Sequence, residues 1–429
     1  MTYHFAKSKE AIQFQTTSTT AQELIDIFDR IPAKPTHASE QELEAFIKQK
    51  FKLTLEIDLQ GPGISCINTS ALNKNHVFFN EELRKKLDDS DLKSAVHKLK
   101  NSKQKNTVNL RDGSVTGIFE EMPMSVDFNV PMLRTFGFNS RELAATFLHE
   151  YAHGLTLFEM IGGQSSTNQF LALAFRGIAN KDNAETMEIL FKTYEEVQGE
   201  PGSFKEIYQT KDAALITNVV LLSEIKAAES QLGFRLYDQT SSEAVADDFV
   251  GRYGLGLELM SALDKLHSYI GDPQTTESGV FAMNTIAIIE FTLGALAVLL
   301  TAAALPILSV ACLCAMFMSA YFGASHHKDY TYDSLKVRYQ RIRYTAIAAL
   351  KNDKLDDPAK AKFLIQIDSM DKIIADTYEV RTIYNKLGDI IFRDGARTRD
   401  IIAQQHLLEG LINNDFFIHA AKLKVGIKS

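Results

Sequence analysis

The chain has 429 residues, a net charge of -8 at pH 7 and a pI of about 5.8. This length allows two or three domains with full hydrophobic cores, at roughly 100 to 200 residues per domain. Its basic residues are scattered among acidic ones, which argues against nucleic-acid binding. Three cysteines are too few for a disulfide framework.

The first 138 residues predict a mixed α/β region. Apolar residues recur at helical spacing in AQELIDIFDRI and ASEQELEAFIKQKF, whereas apolar and polar residues alternate from Phe51 to Leu59, as in a half-buried strand. Asp112 and Gly113 supply the pair with positive φ that a tight hairpin turn favours between two strands. A second alternating stretch, 124–130, predicts an edge strand along which an extended peptide could add.

A helical region follows. Asn139 and Glu142 have the spacing of a capping box, and the apolar periodicity after them predicts a helix that ends at Gly162-Gly163. The middle of this helix is FLHEYAHGL, residues 147–155. Further helices are expected from 167 to 234, and another in QTSSEAVADDFVGRYG.

The stretch HEYAH has the chemistry of a metal site. His149 and His153 are four residues apart and share one face of a helix, so their imidazoles can bind one ion. Glu150 projects about 100° round the helix, where a general base for a metal-bound water is required. Catalytic zinc takes three protein ligands and a water, so a third ligand is expected elsewhere. Thr156 and Glu159 exclude the HExxHxxGxxH class.

A gluzincin takes its third ligand, a glutamate, from a second helix and carries an aspartate four residues later. Downstream of His153 this spacing occurs once, as Glu243 and Asp247 in EAVAD. Residue frequencies give an accidental H-E-x-x-H in roughly 0.02 of chains of this length, so that motif is specific. Glu-x-x-x-Asp alone is weak. Together they favour a zinc site over two histidines that bind no metal.

HEYAH followed by EAVAD resembles the membrane-associated gluzincin metallopeptidases, the group that contains the heat-shock protease HtpX and the CAAX prenyl proteases. The resemblance implies a zincin-like core that binds Zn²⁺ through His149, His153 and Glu243. It also implies that Glu150 is the general base for a zinc-activated water. Asp247 would orient one imidazole, that of His149 in preference.

The tetrahedral oxyanion formed during peptide hydrolysis needs a hydrogen-bond donor. Tyr253, Arg252 and His326 are the candidates in this sequence. Each has an ordinary surface or packing role as its alternative.

An apolar stretch follows the metal motifs. Residues 291–323 contain no charged residue, and Glu290 is the only charge between 281 and 323. This length, with Pro306 inside it, predicts an apolar helical hairpin over 281–325 in preference to one long helix. Basic residues after the hairpin predict that both of its ends lie on the cytoplasmic side of a membrane. The alternative is a hairpin buried in a soluble core.

The sequence therefore predicts a predominantly helical α+β chain with four regions. They are an N-terminal mixed α/β region with a small sheet (1–138), a helical zinc-site region (139–280), the apolar hairpin (281–325) and a C-terminal helical region (326–429).

The leading functional hypothesis is a zinc metalloendopeptidase acting on protein or peptide substrates. We expect attachment to a membrane through residues 281–323, with the active site on the cytoplasmic side. The N-terminal residues lack the apolar segment of a signal peptide. The alternative is a structural or membrane-inserting protein, for example a virus-particle or effector component, whose gluzincin-like domain has secondary or lost activity.

Overall fold

The computed structural model divides the chain into two compact units, Met1–Tyr253 and Gly254–Ser429. Helices predominate in both units, and the described strands all lie in the first. The structure describes residues 4–5, 19–61, 66–68, 105–109, 112–121, 124–179, 184–198, 202, 204–208, 210–220, 222, 239–270, 277–302, 307–314, 318, 335–351, 355–377, 415, 418–419 and 421–422.

The first unit contains two small mixed sheets. Their strands are β1 (His4–Phe5), β2 (Leu55–Asp58), β3 (Cys66–Asn68), β4 (Lys105–Asn109), β5 (Ser114–Thr116) and β6 (Met124–Asp127). One sheet has the order β1-β4-β5, and the other has the order β2-β6-β3. Each central strand has one parallel and one antiparallel neighbour. The predicted hairpin turn is present between β4 and β5, and Gly113 has a φ of 76°. The expected positive φ at Asp112 is wrong, since Gly113 alone of the pair adopts it.

The prediction that residues 124–130 form an edge strand is wrong. β6 lies between β2 and β3, with Leu55 opposite Met124 and Ile67 opposite Val126. The outer side of β2 is also occupied in part, because Glu44 of the preceding helix accepts a hydrogen bond from the backbone N–H of Ile57 at 2.9 Å. Alternation reports which face of a strand is buried, and it carries no information about the number of neighbouring strands.

The first unit also contains α-helices. They are α1 (Thr20–Arg30), α2 (His37–Phe51), α3 (Ile118–Glu121), α4 (Val130–Thr135), α5 (Ser140–Ala179), α6 (Ala184–Gln198) and α7 (Gln239–Arg252). The two helices predicted near the N-terminus are confirmed as α1 and α2. The strand predicted from Phe51 is shorter, because Phe51 ends α2 and the left-handed backbone of Lys52, with a φ of 65°, separates that helix from β2.

Helix α5 carries both histidines and is longer than predicted. It continues through Gly162-Gly163 to Ala179 as one helix of 40 residues. A helical glycine costs only about 1 kcal/mol relative to alanine, so it does not by itself end a helix. Beyond the glycines, Phe170 and Leu173 are buried in a second hydrophobic cluster with residues of α6, and this packing stabilises the continuation.

Aromatic packing fixes the part of α5 that precedes the histidines. The rings of Phe128, which follows β6, and Phe147 of α5 have centroids 5.5 Å apart. Phe28 of α1 lies 5.8 Å from Phe128 and 5.9 Å from Phe147. All three side chains are buried. Burial of this aromatic surface joins α1, one sheet and α5 into a single core.

The second unit is helical throughout its described residues. Its helices are α8 (Gly256–Ile270), α9 (Glu277–Ala302), α10 (Leu335–Leu350) and α11 (Asp357–Asp376), with a further helical segment at 307–314. Helices α8, α10 and α11 pack on one another. Arg343 of α10 joins Asp371 of α11 at 2.5 Å and Asp415 at 2.8 Å.

Helix α9 exposes most of its apolar side chains. Within the described residues, Phe281–Leu300 is the one helical stretch that is long and apolar enough to cross a membrane. Leu299 and Leu300 are 72% and 70% exposed. The hydroxyl of Ser309 donates to the carbonyl of Val298 at 3.1 Å, so the 307–314 segment turns back against α9.

The predicted capping box at the start of α5 is confirmed. The side-chain oxygen of Asn139 accepts hydrogen bonds from the backbone N–H groups of Arg141 at 2.9 Å and Glu142 at 3.0 Å. The Glu142 carboxylate in turn accepts from the backbone N–H of Asn139 at 2.8 Å. These contacts satisfy N–H groups that the first helical turn leaves without partners.

We predict that Asn139→Ala lowers the free energy of unfolding by about 1 kcal/mol, because it removes the acceptor for two N–H groups. Asn139→Ser is the control, since a serine hydroxyl caps a helix about as well. Urea unfolding followed by circular dichroism measures both. Equal stability of the alanine and serine variants would contradict the assignment of this cap.

Candidate metal centre

Three potential ligands converge between α5 and α7. The Nε2 atoms of His149 and His153 lie 3.1 Å apart. The two carboxylate oxygens of Glu243 lie 3.2 Å from Nε2 of His149 and 3.3 Å from Nε2 of His153. These three residues form a group that could hold a metal ion. Ligands at about 2.1 Å from a tetrahedral ion are about 3.4 Å from one another, so the spacing fits one shared ion.

The helices explain this convergence. His149 and His153 are one turn apart on α5, so the periodicity of that helix places both rings on one side. Glu243 reaches them from α7, 90 residues after His153 along the chain, and α7 packs along α5. The predicted ligand residues therefore come together only through tertiary packing.

A buried aspartate supports the first histidine. Oδ1 of Asp247 lies 3.2 Å from Nδ1 of His149, on the other side of the ring from Glu243. Asp247 is fully buried, and His149 and Glu243 are each 6% exposed. A carboxylate at Nδ1 fixes the tautomer of a histidine so that Nε2 is available to a metal. The structure places Asp247 beside His149 rather than His153, as expected.

The field at this site favours a cation. Burial lowers the pKa of the His149 imidazole, but the contacts with Asp247 and Glu243 outweigh burial and raise that pKa to about 9. Two buried carboxylates that hold a proton on an imidazole also attract a metal ion. The residues present therefore fit a divalent metal in charge as well as in spacing.

Glu150 and His153 are the more accessible members of the site. Glu150 follows His149 directly on α5 and remains partly exposed, and the side chain of His153 is 21% exposed. Both side chains therefore retain some contact with solvent. A substrate and a proton acceptor need that access.

The structure shows the contacts of two of the three predicted oxyanion donors. The hydroxyl of Tyr253 donates to the backbone carbonyl of Asp112 at 2.8 Å, and the side chain is buried. The Tyr253 hydroxyl therefore already has a hydrogen-bond partner in the core. Arg252 forms an ion pair with Asp248 at 2.6 Å. His326 lies outside the described residues.

Comparisons with protein-family models, curated proteins and solved structures find no match to this chain. The resemblance to gluzincins therefore rests on the two motifs and on the geometry that they adopt.

Sequence reasoning missed Tyr151, which lies inside the motif HEYAH. It is two residues after His149, or about 200° round the helix, so it faces away from the ligands. Its hydroxyl donates to the backbone carbonyl of Gly113 at 2.7 Å. The position of Tyr151 on the helix predicts a buried side chain. Its hydrogen-bond partner could not be predicted from the sequence, because Gly113 is 38 residues away.

We predict that Asp247→Asn weakens zinc binding about 10- to 100-fold, because the support of His149 is lost while the three ligands remain. Competition with a chromophoric chelator measures the dissociation constant. Asp248→Asn is the matched control, since the neighbouring aspartate is partly exposed and pairs with Arg252. Equal zinc affinities of the two variants would show that Asp247 does not support the site.

Proposed function

We propose that this chain is a zinc-dependent metalloendopeptidase of the gluzincin type that hydrolyses peptide bonds in proteins or peptides. The observation that carries the proposal is the convergence of His149, His153 and Glu243 on one point. Two imidazoles and one carboxylate are a common ligand set of catalytic zinc. Structural zinc sites instead have four protein ligands, and this group has three members among the described residues.

The chain's own residues have distinct tasks in this proposal. When bound, zinc supplies a water of lowered pKa and polarises the scissile carbonyl. Glu150 accepts a proton and delivers it to the leaving amine, a role that suits its position beside His149 and its partial exposure. Asp247 holds the His149 ring in one orientation through Nδ1.

We further propose that the enzyme is attached to a membrane with its active site on the cytoplasmic side. The exposed apolar surface of α9 supports attachment. Basic residues that flank a membrane segment are retained in the cytoplasm. The cytoplasmic side is proposed because such residues follow the apolar stretch, among them Lys328, Lys336 and Arg338.

The proposal predicts three different outcomes for three proteins purified in detergent without added metal. Mass spectrometry should find about one zinc per chain in the wild type, together with hydrolysis of an unfolded protein substrate. Glu150→Gln should keep the zinc and lose at least about 100-fold in hydrolysis, because the general base is removed. Glu243→Ala should lose both zinc and activity, because a ligand is removed.

Glu196→Gln is the control for the general-base variant, because Glu196 is exposed on α6. It should behave as the wild type. Wild-type protein that holds no zinc and cannot be loaded with it would end the peptidase proposal. Zinc-loaded Glu150→Gln that cleaves as fast as the wild type would end the assignment of the base.

A second candidate function, membrane insertion by a protein whose peptidase activity is secondary or lost, is favoured by α9. At 100° per residue, the exposed positions of α9 between 281 and 300 cover about 220° of its circumference. A helix that docks into a protein groove buries a narrower stripe, of the order of 100°. The 26 residues of α9 extend about 39 Å, which exceeds the roughly 30 Å of a bilayer core.

We predict that Leu293→Lys weakens binding to phospholipid vesicles at least tenfold, since a lysine at the centre of a membrane helix costs about 2.5 to 3.5 kcal/mol. Leu293 is 61% exposed in the middle of α9. Leu222→Lys is the matched control, because Leu222 is 57% exposed in the first unit. Flotation of protein with vesicles on a density gradient measures binding.

Retention of vesicle binding by Leu293→Lys would exclude α9 as the attachment site. Vesicle binding combined with full biological activity of Glu150→Gln would favour the insertion function over the peptidase.

A further inference from the structure

One backbone turn contacts both helices that carry the metal ligands. The carbonyl of Gly113 accepts a hydrogen bond from the hydroxyl of Tyr151 on α5 at 2.7 Å. The adjacent carbonyl of Asp112 accepts from the hydroxyl of Tyr253, the residue that follows α7, at 2.8 Å. Two neighbouring peptide groups of the β4–β5 turn thus link α5 to α7.

The turn also packs directly on α7. A Cβ atom added to Gly113 would lie 2.7 Å from the ring of Phe249, so only a glycine allows this approach. The ring centroid of Phe51 lies 4.6 Å from that of Tyr151, with the planes tilted by 32°, and 6.2 Å from that of Tyr253. The turn and these rings form one buried contact between the two helices, and Tyr151 and Tyr253 are 2% and 5% exposed.

This contact lies close in sequence to the metal site. Tyr151 lies between His149 and His153, and Tyr253 is six residues after Asp247. The histidines are positioned relative to one another by α5 alone. The position of Glu243 relative to them depends on how α7 lies against α5, and the turn restrains that relation.

We propose that Tyr151 and Tyr253 are positioning residues: through the β4–β5 turn, they hold α7 at the separation from α5 at which Glu243 completes the metal site. The proposal rests on the metal site of the proposed function and adds a determinant of its affinity. Without the turn contacts, the helices sample separations at which the three ligands do not converge. The apparent metal affinity is then the intrinsic affinity multiplied by the fraction of molecules in which the three ligands converge.

The test is zinc affinity in Tyr151→Phe and Tyr253→Phe, measured by competition with a chromophoric chelator. Each substitution keeps the ring and its aromatic contacts and removes one buried hydrogen bond. Each hydrogen bond stabilises the arrangement in which the ligands converge. Its loss should therefore weaken zinc binding about threefold to tenfold. The double variant should bind more weakly than either single variant.

Tyr208→Phe is the matched control. The Tyr208 hydroxyl donates to the buried carboxylate of Glu195 at 2.6 Å, in the second hydrophobic cluster of the same unit. Its removal should lower the melting temperature and leave zinc affinity unchanged. The comparison separates a general loss of stability from a loss of ligand positioning. Absorption of the Co²⁺-substituted protein reports the ligand geometry directly, and the two turn variants should alter it.

Two results overturn the proposal in distinguishable ways. If wild-type protein binds zinc and both turn variants bind it within twofold of wild type, the turn is a structural contact only. If wild-type protein binds no metal, the proposed function and the positioning role fail together. Circular dichroism verifies that each variant is folded during the assay. Should one variant not fold, the other still tests the turn, because each hydroxyl contacts a different peptide group.

Discussion

The packing of α5 against α7 is the interaction on which the candidate site depends. One helix supplies two imidazoles by its own periodicity, and the other supplies the carboxylates of Glu243 and Asp247. Alanines at 244 and 246 are buried beside these acids, and side chains of this size allow two helices to approach closely. Both alanines are buried, so a larger side chain at either position would have to displace its neighbours.

Burial of the acids has an electrostatic cost that the site itself must offset. Carboxylates removed from water are unfavourable unless they are paired. A protonated His149 balances only one of the two negative charges of Glu243 and Asp247, whereas a divalent ion beside neutral imidazoles balances both. This balance of charge is consistent with the metal site that we propose. The two acids of α7 lie on opposite sides of the His149 ring, Glu243 at Nε2 and Asp247 at Nδ1.

Sequence patterns were sufficient where the relevant interactions are local. Three such features depend on residues within a few positions of each other: the capping box at Asn139, the helices α1 and α2, and the glycine turn at Gly113. Pairing of β6 with β2 and β3 depends on residues about 60 to 70 positions away, and alternation gives no sign of it. Likewise, Gly162-Gly163 looked like a helix end, but burial beyond it outweighs the intrinsic preference of glycine. The ligand residues could be predicted because their spacing within each helix is local, whereas the contacts of Tyr151 and Tyr253 with one turn join distant parts of the chain.

The apolar helix α9 raises the opposite problem from the metal site. In the candidate metal site, polar groups are buried and a bound cation would balance their charge. In α9, apolar groups are exposed to water. At about 25 cal/mol per Å² of apolar surface, exposed leucines and isoleucines along 26 residues represent a large unfavourable term for a protein in water. Among the described residues, the 307–314 segment contacts α9 through the hydroxyl of Ser309. A second protein helix would cover one more stripe, whereas a bilayer covers the whole remaining arc of about 220°. The proposed membrane attachment would therefore cover the exposed surface of α9 in one interaction.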